Sequence, residues 1–171
     1  LIGIASSQAG KADDAHLLAQ GIIEEFAELF LFLLVAITYV NTLEERRVFD
    51  VLRARLVGMG LSYRQLFWMT GIASFFLSSV LDNLTTALVM GAVVLAIGAG
   101  SKAFVAIACI NIVVAANAGG AFSPFGDITT LMVWQKGKLD FWEFFALFLP
   151  SVVNFLVPAA IMQFAVPKTK P

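Results

Sequence analysis

The chain has 171 residues, 60% hydrophobic and 13% charged, with a formal net charge of −1. An ordinary soluble domain is about 25% charged, so too few charged side chains are present to cover a soluble surface, and the near-neutral balance makes no case for nucleic acid. The apolar runs do not alternate as lipid-facing β-strands do, which leaves an all-α polytopic membrane protein.

Residues 1–19 are mixed and read as a short helix or loop outside the membrane, with His16 solvated beside Asp13 and Asp14. No basic head followed by an apolar stretch marks a signal peptide. The start at Leu1, without methionine, suggests a fragment cut in loops at both ends. A first spanning helix is expected over 21–43. At 1.5 Å per residue it would be roughly 33 Å long, enough for a hydrocarbon core of about 30 Å. Its first turns hold Glu24, Glu25 and Glu28. Glu24 and Glu28 share a face, and acids near the positive helix start at headgroup level are the plain reading. Glu28, the deepest, is the candidate for a secondary proton or ion role.

Residues 44–64 form a basic amphipathic connector. Arg46, Arg47, Arg53, Arg55 and Arg64 surround Val48, Val51, Leu52 and Leu56 at helical spacing. This pattern suits an interfacial helix on an anionic leaflet and a topology anchor rather than a ligand site. Within 65–101, two apolar arms, Gln65–Leu81 and Leu84–Ala99, meet at Asp82. Each would be near 25 Å if helical, short for a full crossing. They read as a re-entrant helical hairpin, because the tip offers almost no residues for an aqueous loop. The rival is two ordinary spans with Asp82 in a far-side turn.

A broken helix is expected over 103–135: helical to Asn117, unwound over Ala118–Gly126, helical again from Ile128 to Gln135. Gly119, Gly120 and Gly126 permit unusual dihedrals, and Pro124 withholds a backbone donor. Such a break survives at membrane depth only where it lines a cavity or is buried in protein. Cys109 lies in the apolar part as a small packing residue and, as the single cysteine, has no internal disulfide partner. After a turn over 135–140, the last span runs over 141–166, with kinks expected at Pro150 and Pro158 and an interfacial aromatic belt of Trp134, Phe141 and Trp142. With the first helix entering from outside, Arg46, Arg47, Arg53, Arg55, Arg64, Lys102, Lys168 and Lys170 are cytoplasmic, and only Lys11, Lys136 and Lys138 are outside. This obeys the positive-inside rule and requires the 65–101 segment to return to its own side.

Two acids stand alone in long apolar runs: Asp82 between Gln65 and Ser101, and Asp127 between Ala103 and Gln135. A carboxylate at membrane depth costs roughly 2.5–3.5 kcal/mol even on the lenient insertion scale. Both are followed by a threonine pair and an apolar helix: Asp82, Thr85, Thr86 and Asp127, Thr129, Thr130. One reading is that they are helix caps alone, although serine or threonine would cap without a charge. The other is a hard-cation site built from oxygens. Asp82, Thr85 and Thr86 would contribute at the hairpin. Ser123, Asp127, Thr129 and Thr130 would contribute at the broken helix, with the carbonyls of Ala118–Ala121 freed by unwinding. Asn83 and Asn117 would bridge the breaks. Burial favours a protonated carboxyl and a bound cation favours an ionised one, so proton and cation would compete for one site. No nucleophile–base pair or intramembrane His–Cys cluster suggests an enzyme.

At Glu28–Thr42 (ELFLFLLVAITYVNT), Phe75–Met90 (FFLSSVLDNLTTALVM) and Asn117–Trp134 (NAGGAFSPFGDITTLMVW), the chain closely resembles the NhaD-type Na+/H+ antiporters of the ion transporter superfamily. The resemblance implies one half of an inverted-repeat transporter that exchanges Na+ or Li+ for H+, without a cofactor, in a bacterial inner membrane. By analogy its hairpin and broken helix move together against a scaffold that includes the first and last spans. It carries over Asp82, Asn83, Thr85, Thr86, Ser123, Asp127 and Thr129 as cation-site residues, with Glu28, Asn117 and Thr130 secondary. The partners it implies are the lipid bilayer and the second repeat, with a homodimer as a further option. Related carboxylate symporters carry Ser-Asn-Thr at the tip where Asp82-Asn83-Leu84-Thr85 stands here, and that acid argues against an anionic substrate. A carboxylate carrier of the same superfamily and a non-transporting membrane scaffold remain the alternatives.

Overall fold

The computed structural model describes residues 16–24, 58–98 and 100–168, and positions 26, 27, 30, 31, 34, 35, 38, 42, 45, 46, 51, 54 and 55 between them. Two units are distinguished, Leu1–Arg46 and Arg47–Pro171. In the first, every described position from 16 to 45 is helical. Glu28 lies outside the described residues.

In the second unit, Gly60 takes a left-handed φ of 58° and closes the connector. Helix α1 follows over Tyr63–Leu77. Its start is a capping box: Ser62 Oγ accepts the Gln65 N–H, and Gln65 Oε1 accepts the Ser62 N–H at 2.9 Å. Arg64, expected in the connector, stands instead in the first turn of α1. It is half-buried and donates to the Gln163 carbonyl at 3.4 Å. The capping box moves the helix start ahead of it.

A short turn through Ser78–Asp82 leads into α2, Asn83–Ile97, and Gly98 caps its end. The fifteen residues of each arm correspond to about 22 Å, short of a core of about 30 Å. Ser101 caps α3, Lys102–Gly120. Residues 121–127 are non-helical, α4 spans Ile128–Gln135, and a turn with Gly137 at φ 60° follows. The last helical run opens as a 3-10 helix over Phe141–Leu147, becomes α5 over Phe148–Met162, and ends as a 3-10 turn over Gln163–Ala165. By length and composition, α3 and the run Phe141–Ala165 suffice to cross a membrane. Pro150 falls in the first turn of α5, directly after the 3-10 segment, and withholds an N–H there. Pro158, inside α5, removes one bond of the helical ladder.

The break begins later than expected. Helix α3 continues through Ala118, Gly119 and Gly120, so the unwound stretch is 121–127 rather than Ala118–Gly126. The glycines are not there for dihedral freedom, because the described glycines with positive φ are Gly60 and Gly137. They are there because no Cβ fits. A Cβ on Gly119 would lie 1.9 Å from the Phe75 carbonyl oxygen, and one on Gly126 would lie 2.3 Å from Gly120 Cα and 2.6 Å from the Ser78 oxygen.

Helix α3 is central, with α1, α2 and α5 packed on it. Phe67, Met90, Val94, Phe104, Ala108, Ile112 and Ala115 form much of the buried core. Close to the break, Phe75 stacks on Phe122 at 5.3 Å and on Phe155 of α5 at 5.5 Å between ring centroids. Burying rings of this size anchors the break from below. Phe125, Trp134 and Phe141 form a second aromatic group, with centroids 5.6–6.4 Å apart. Trp142 remains 77% exposed, as a belt residue would be.

Candidate functional site

Four helix ends converge at one place. The C-terminal ends of α1 and α3 meet through Phe75, Ser78, Gly119 and Gly120, and the starts of α2 and α4 join them through Asn83, Gly126 and Asp127. Helix starts carry partial positive charge and helix ends partial negative charge. Both starts here bring their own carboxylate. Asp82 caps α2: its Oδ1 accepts the Thr85 N–H at 2.8 Å, and its Oδ2 accepts the Thr85 hydroxyl at 2.5 Å. Asp127 caps α4: its Oδ1 accepts the Thr129 N–H at 2.8 Å and the Thr129 hydroxyl at 2.7 Å. The same local chemistry therefore recurs at both breaks, as the shared Asp–Thr–Thr pattern predicts.

Asn83 joins the two breaks. Its Nδ2 donates to Asp127 Oδ2 and, at 3.1 Å, to Asn117 Oδ1. Its backbone N–H donates to the Gly126 carbonyl at 3.1 Å. Asn117 is held in turn by Nδ2 donation to the Val113 carbonyl at 2.8 Å. Asp127 thus accepts from three donors on two elements. Among the described residues no hydrogen bond runs directly between Asp82 and Asp127; Asn83, next to one and bonded to the other, is the link.

The remaining predicted residues divide by their partners. Thr130 spends its hydroxyl on the Asp127 carbonyl at 2.8 Å, a back-bond within the first turn of α4. Ser123 is buried, and its Oγ accepts the Phe125 N–H at 3.2 Å, which shapes the loop. Thr86 is buried and its Oγ1 has no hydrogen-bond partner. The carbonyls of Ala118–Gly120, expected to be freed by unwinding, belong instead to the last turn of α3, where carbonyls lack an i+4 donor. Asp82, Asn83 and Asp127 are half-buried, while Asn117 and Thr129 are exposed.

One residue escaped sequence reasoning. Ser78, 0% exposed, has an unpartnered Oγ and lies against Gly120 and Gly126. The signal was present: Ser78 is four residues before Asp82, on the same turn of chain that forms the tip. A serine at a helix end has so many local uses that its type alone did not single it out.

A family model described as citrate transporter matches residues 3–170. The chain belongs to this citrate transporter family. Among its relatives, a protein named Na(+)/H(+) antiporter NhaD from Alkalimonas amylolytica is 63% identical over 86% of this chain and 30% of its own length. Another of that name, from Vibrio parahaemolyticus, is 55% identical over all of this chain and 41% of its own length. A plant relative, Sodium/proton antiporter 1 of Arabidopsis thaliana, is 37% identical over 95% of this chain and 27% of its own length. The chain therefore spans well under half of these curated relatives. No solved structure matches it.

Proposed function

We propose that this citrate transporter family chain forms part of a secondary antiporter that exchanges Na+ or Li+ for H+, in a multi-pass protein of a bacterial inner membrane. The observation that carries this reading is the state of the two helix starts. A bare helix N-terminus is a ready-made anion site. Here both starts are already taken by the chain's own carboxylates, Asp82 and Asp127, while two helix C-termini, rich in carbonyl oxygen, meet them. That arrangement favours a cation over citrate or another carboxylate. It agrees with the names of the relatives at 55–63% identity.

The ligands would come from Asp82, Asn83, Thr85, Thr86, Ser123, Asp127 and Thr129, with Ser78 added and Asn117 and Thr130 in support. A hydroxyl that donates to a carboxylate keeps lone pairs for a cation, as at Thr85 and Thr129. Removal of the cation would leave the carboxylates to take up a proton instead. The short arms α1 and α2 act as a re-entrant hairpin facing the break in α3–α4, in the manner of discontinuous helices in secondary transporters. In an elevator-type movement the hairpin and the broken helix would travel together; against the expectation that the last span belongs to the scaffold, the stacking of Phe155 on Phe75 favours α5 travelling with them. The rest of the full-length protein completes the site and supplies the scaffold.

The test is Na+- or Li+-induced dequenching of a pH-sensitive dye in everted vesicles carrying the full-length protein. Asp82→Asn and Asp127→Asn are each expected to abolish the signal. A well-expressed protein that ignores both cations but accumulates citrate would favour the carboxylate carrier that the family description names. A response that survives both substitutions would reduce the two aspartates to helix caps.

A further inference from the structure

Asn111 is buried in the middle of α3, 0% exposed, among Phe104, Ala108, Ile112 and Ala115. Its Nδ2 donates to the Phe67 carbonyl on α1 at 3.0 Å, and its Oδ1 is buried without a partner. A half-satisfied amide in an apolar seam destabilises the packing relative to leucine. The best-attested use of such a residue is to specify register between helices. Across the seam stands Gly71, where a Cβ would lie 2.4 Å from Asn111 Nδ2. The seam is shaped around this amide.

The contact has a regular continuation. Phe67 pairs with Asn111, the Phe75 backbone lies under Gly119, and Asn83 donates to Asp127. All three pairs are separated by the same 44 residues. Helices α1 and α3 thus run side by side in the same direction, and the register set at Asn111 continues into the bridge between the two breaks. The Gly119 contact fixes how close the helices come. Small buried residues line both helices here (Gly71 and Ser74 on α1, Ala108, Ala115 and Ala118 on α3), and the Asn111 hydrogen bond is a directional contact between them. A slide of one residue, about 1.5 Å, exceeds what the Asn83 hydrogen bonds tolerate.

We propose that Asn111 is a positioning residue for the cation site: it pins α3 against α1 and so sets the Asn83–Asp127 bridge. This rests on the reading of that junction as the cation site. The test uses the full-length protein with Asn111→Leu, Asn111→Ala, Gly71→Ala and the pair Gly71→Ala/Asn111→Ala. Hydrogen–deuterium exchange is read in detergent, and Na+-dependent exchange is read in everted vesicles. For Asn111→Leu, amide exchange quickens at 78–83 and 121–128, about 15 Å or more along the helices from the substituted contact. Half-saturating Na+ rises roughly ten-fold, the range of outer-shell changes at ion sites, with the maximal rate within about two-fold. Gly71→Ala displaces the same amide and reproduces the pattern. Added to Asn111→Ala it changes little more, because both act through one contact. Quickened exchange confined to 64–74 and 108–115, with unchanged half-saturating Na+, overturns the proposal. Should Asn111→Leu fail to accumulate, Gly71→Ala decides on the same criteria. If even the unsubstituted protein ignores Na+, the transport reading fails, and the exchange pattern at 78–83 and 121–128 still decides the pin.

Discussion

Replacing Gly119 by alanine tests the junction at its tightest point. The new Cβ would lie 1.9 Å from the Phe75 oxygen, 2.7 Å from its carbonyl carbon and 2.8 Å from its Cα. All three atoms are backbone, so no side chain can swing aside. Reaching ordinary contact at 3.4 Å requires α1 and α3 to part by about 1.5 Å at this level. Overpacking alone costs about 1–3 kcal/mol. The same parting stretches two bonds that hold the breaks together, Asn83 N–H to the Gly126 carbonyl and Asn83 Nδ2 to Asp127. A neutral bond is worth about 1 kcal/mol and one to a charged group about 1.5–3 kcal/mol, which brings the total to roughly 3.5–7 kcal/mol if both are lost. The expected result is a markedly lower Tm in detergent and a loss of Na+-driven dequenching of about a hundred-fold, the scale of an ångström-size misplacement. Gly91→Ala is the matched control: Gly91 is inside α2 with nothing within 4 Å of its added Cβ, and alanine gains about 0.5–1 kcal/mol of helix preference there. Parent-like Tm and Na+ response in Gly119→Ala would refute the close-contact argument.

Three further substitutions separate fold from site. Asp82→Ser keeps a capping oxygen at the start of α2 but removes the charge, so Tm should fall by no more than about 1 kcal/mol-equivalent while cation-driven dequenching disappears; retained exchange would mean that capping is all Asp82 does. Ser78→Ala removes a buried hydroxyl that finds no hydrogen-bond partner among the described residues, so stability should hold or improve while half-saturating Na+ rises several-fold in the vesicle assay, and an unchanged Na+ titration would exclude Ser78 from the ligand set. Arg64→Ala removes the half-buried guanidinium that reaches the carbonyl of Gln163 at the end of α5; a drop of roughly 0.5–1 kcal/mol in stability is expected from losing a cation at a helix C-terminus, with Na+ affinity unaltered, and a change in Na+ affinity would place this link in the transport path.

How far the sequence reaches is clear from particular residues. The helical segments were legible because apolar runs of this length and composition have few other solutions, and because Asp82 and Asp127 are capping residues that stand at observed helix starts; the caps at Ser62 and Ser101 emerged only with the structure. The two aspartates were legible as site candidates because an isolated charge in an apolar run carries a cost that asks for a purpose. The late end of α3 was not, because glycine weakens a helix in isolation, whereas here Gly119 and Gly120 are kept helical by the backbones packed on them. Propensity is a local property and yields to a contact made across the fold.

The sequence by itself determined which residues cap the two helix starts at the breaks, Asp82 and Asp127, since charge, hydroxyl content and capping geometry act within a turn or two of chain. Only the tertiary structure decided that Asn83 takes hold of Asp127, that the Ser78 hydroxyl lies beside Gly120 without a partner among the described residues, and that Asn111 reaches the Phe67 carbonyl. Those pairings lie 34 to 44 residues apart in the two cases of Asn83 with Asn117 and with Asp127. No periodicity encodes them. They follow from two helices packed closely enough that only glycine fits between, which brings one short stretch of backbone against another and leaves the polar side chains at the meeting point to find each other.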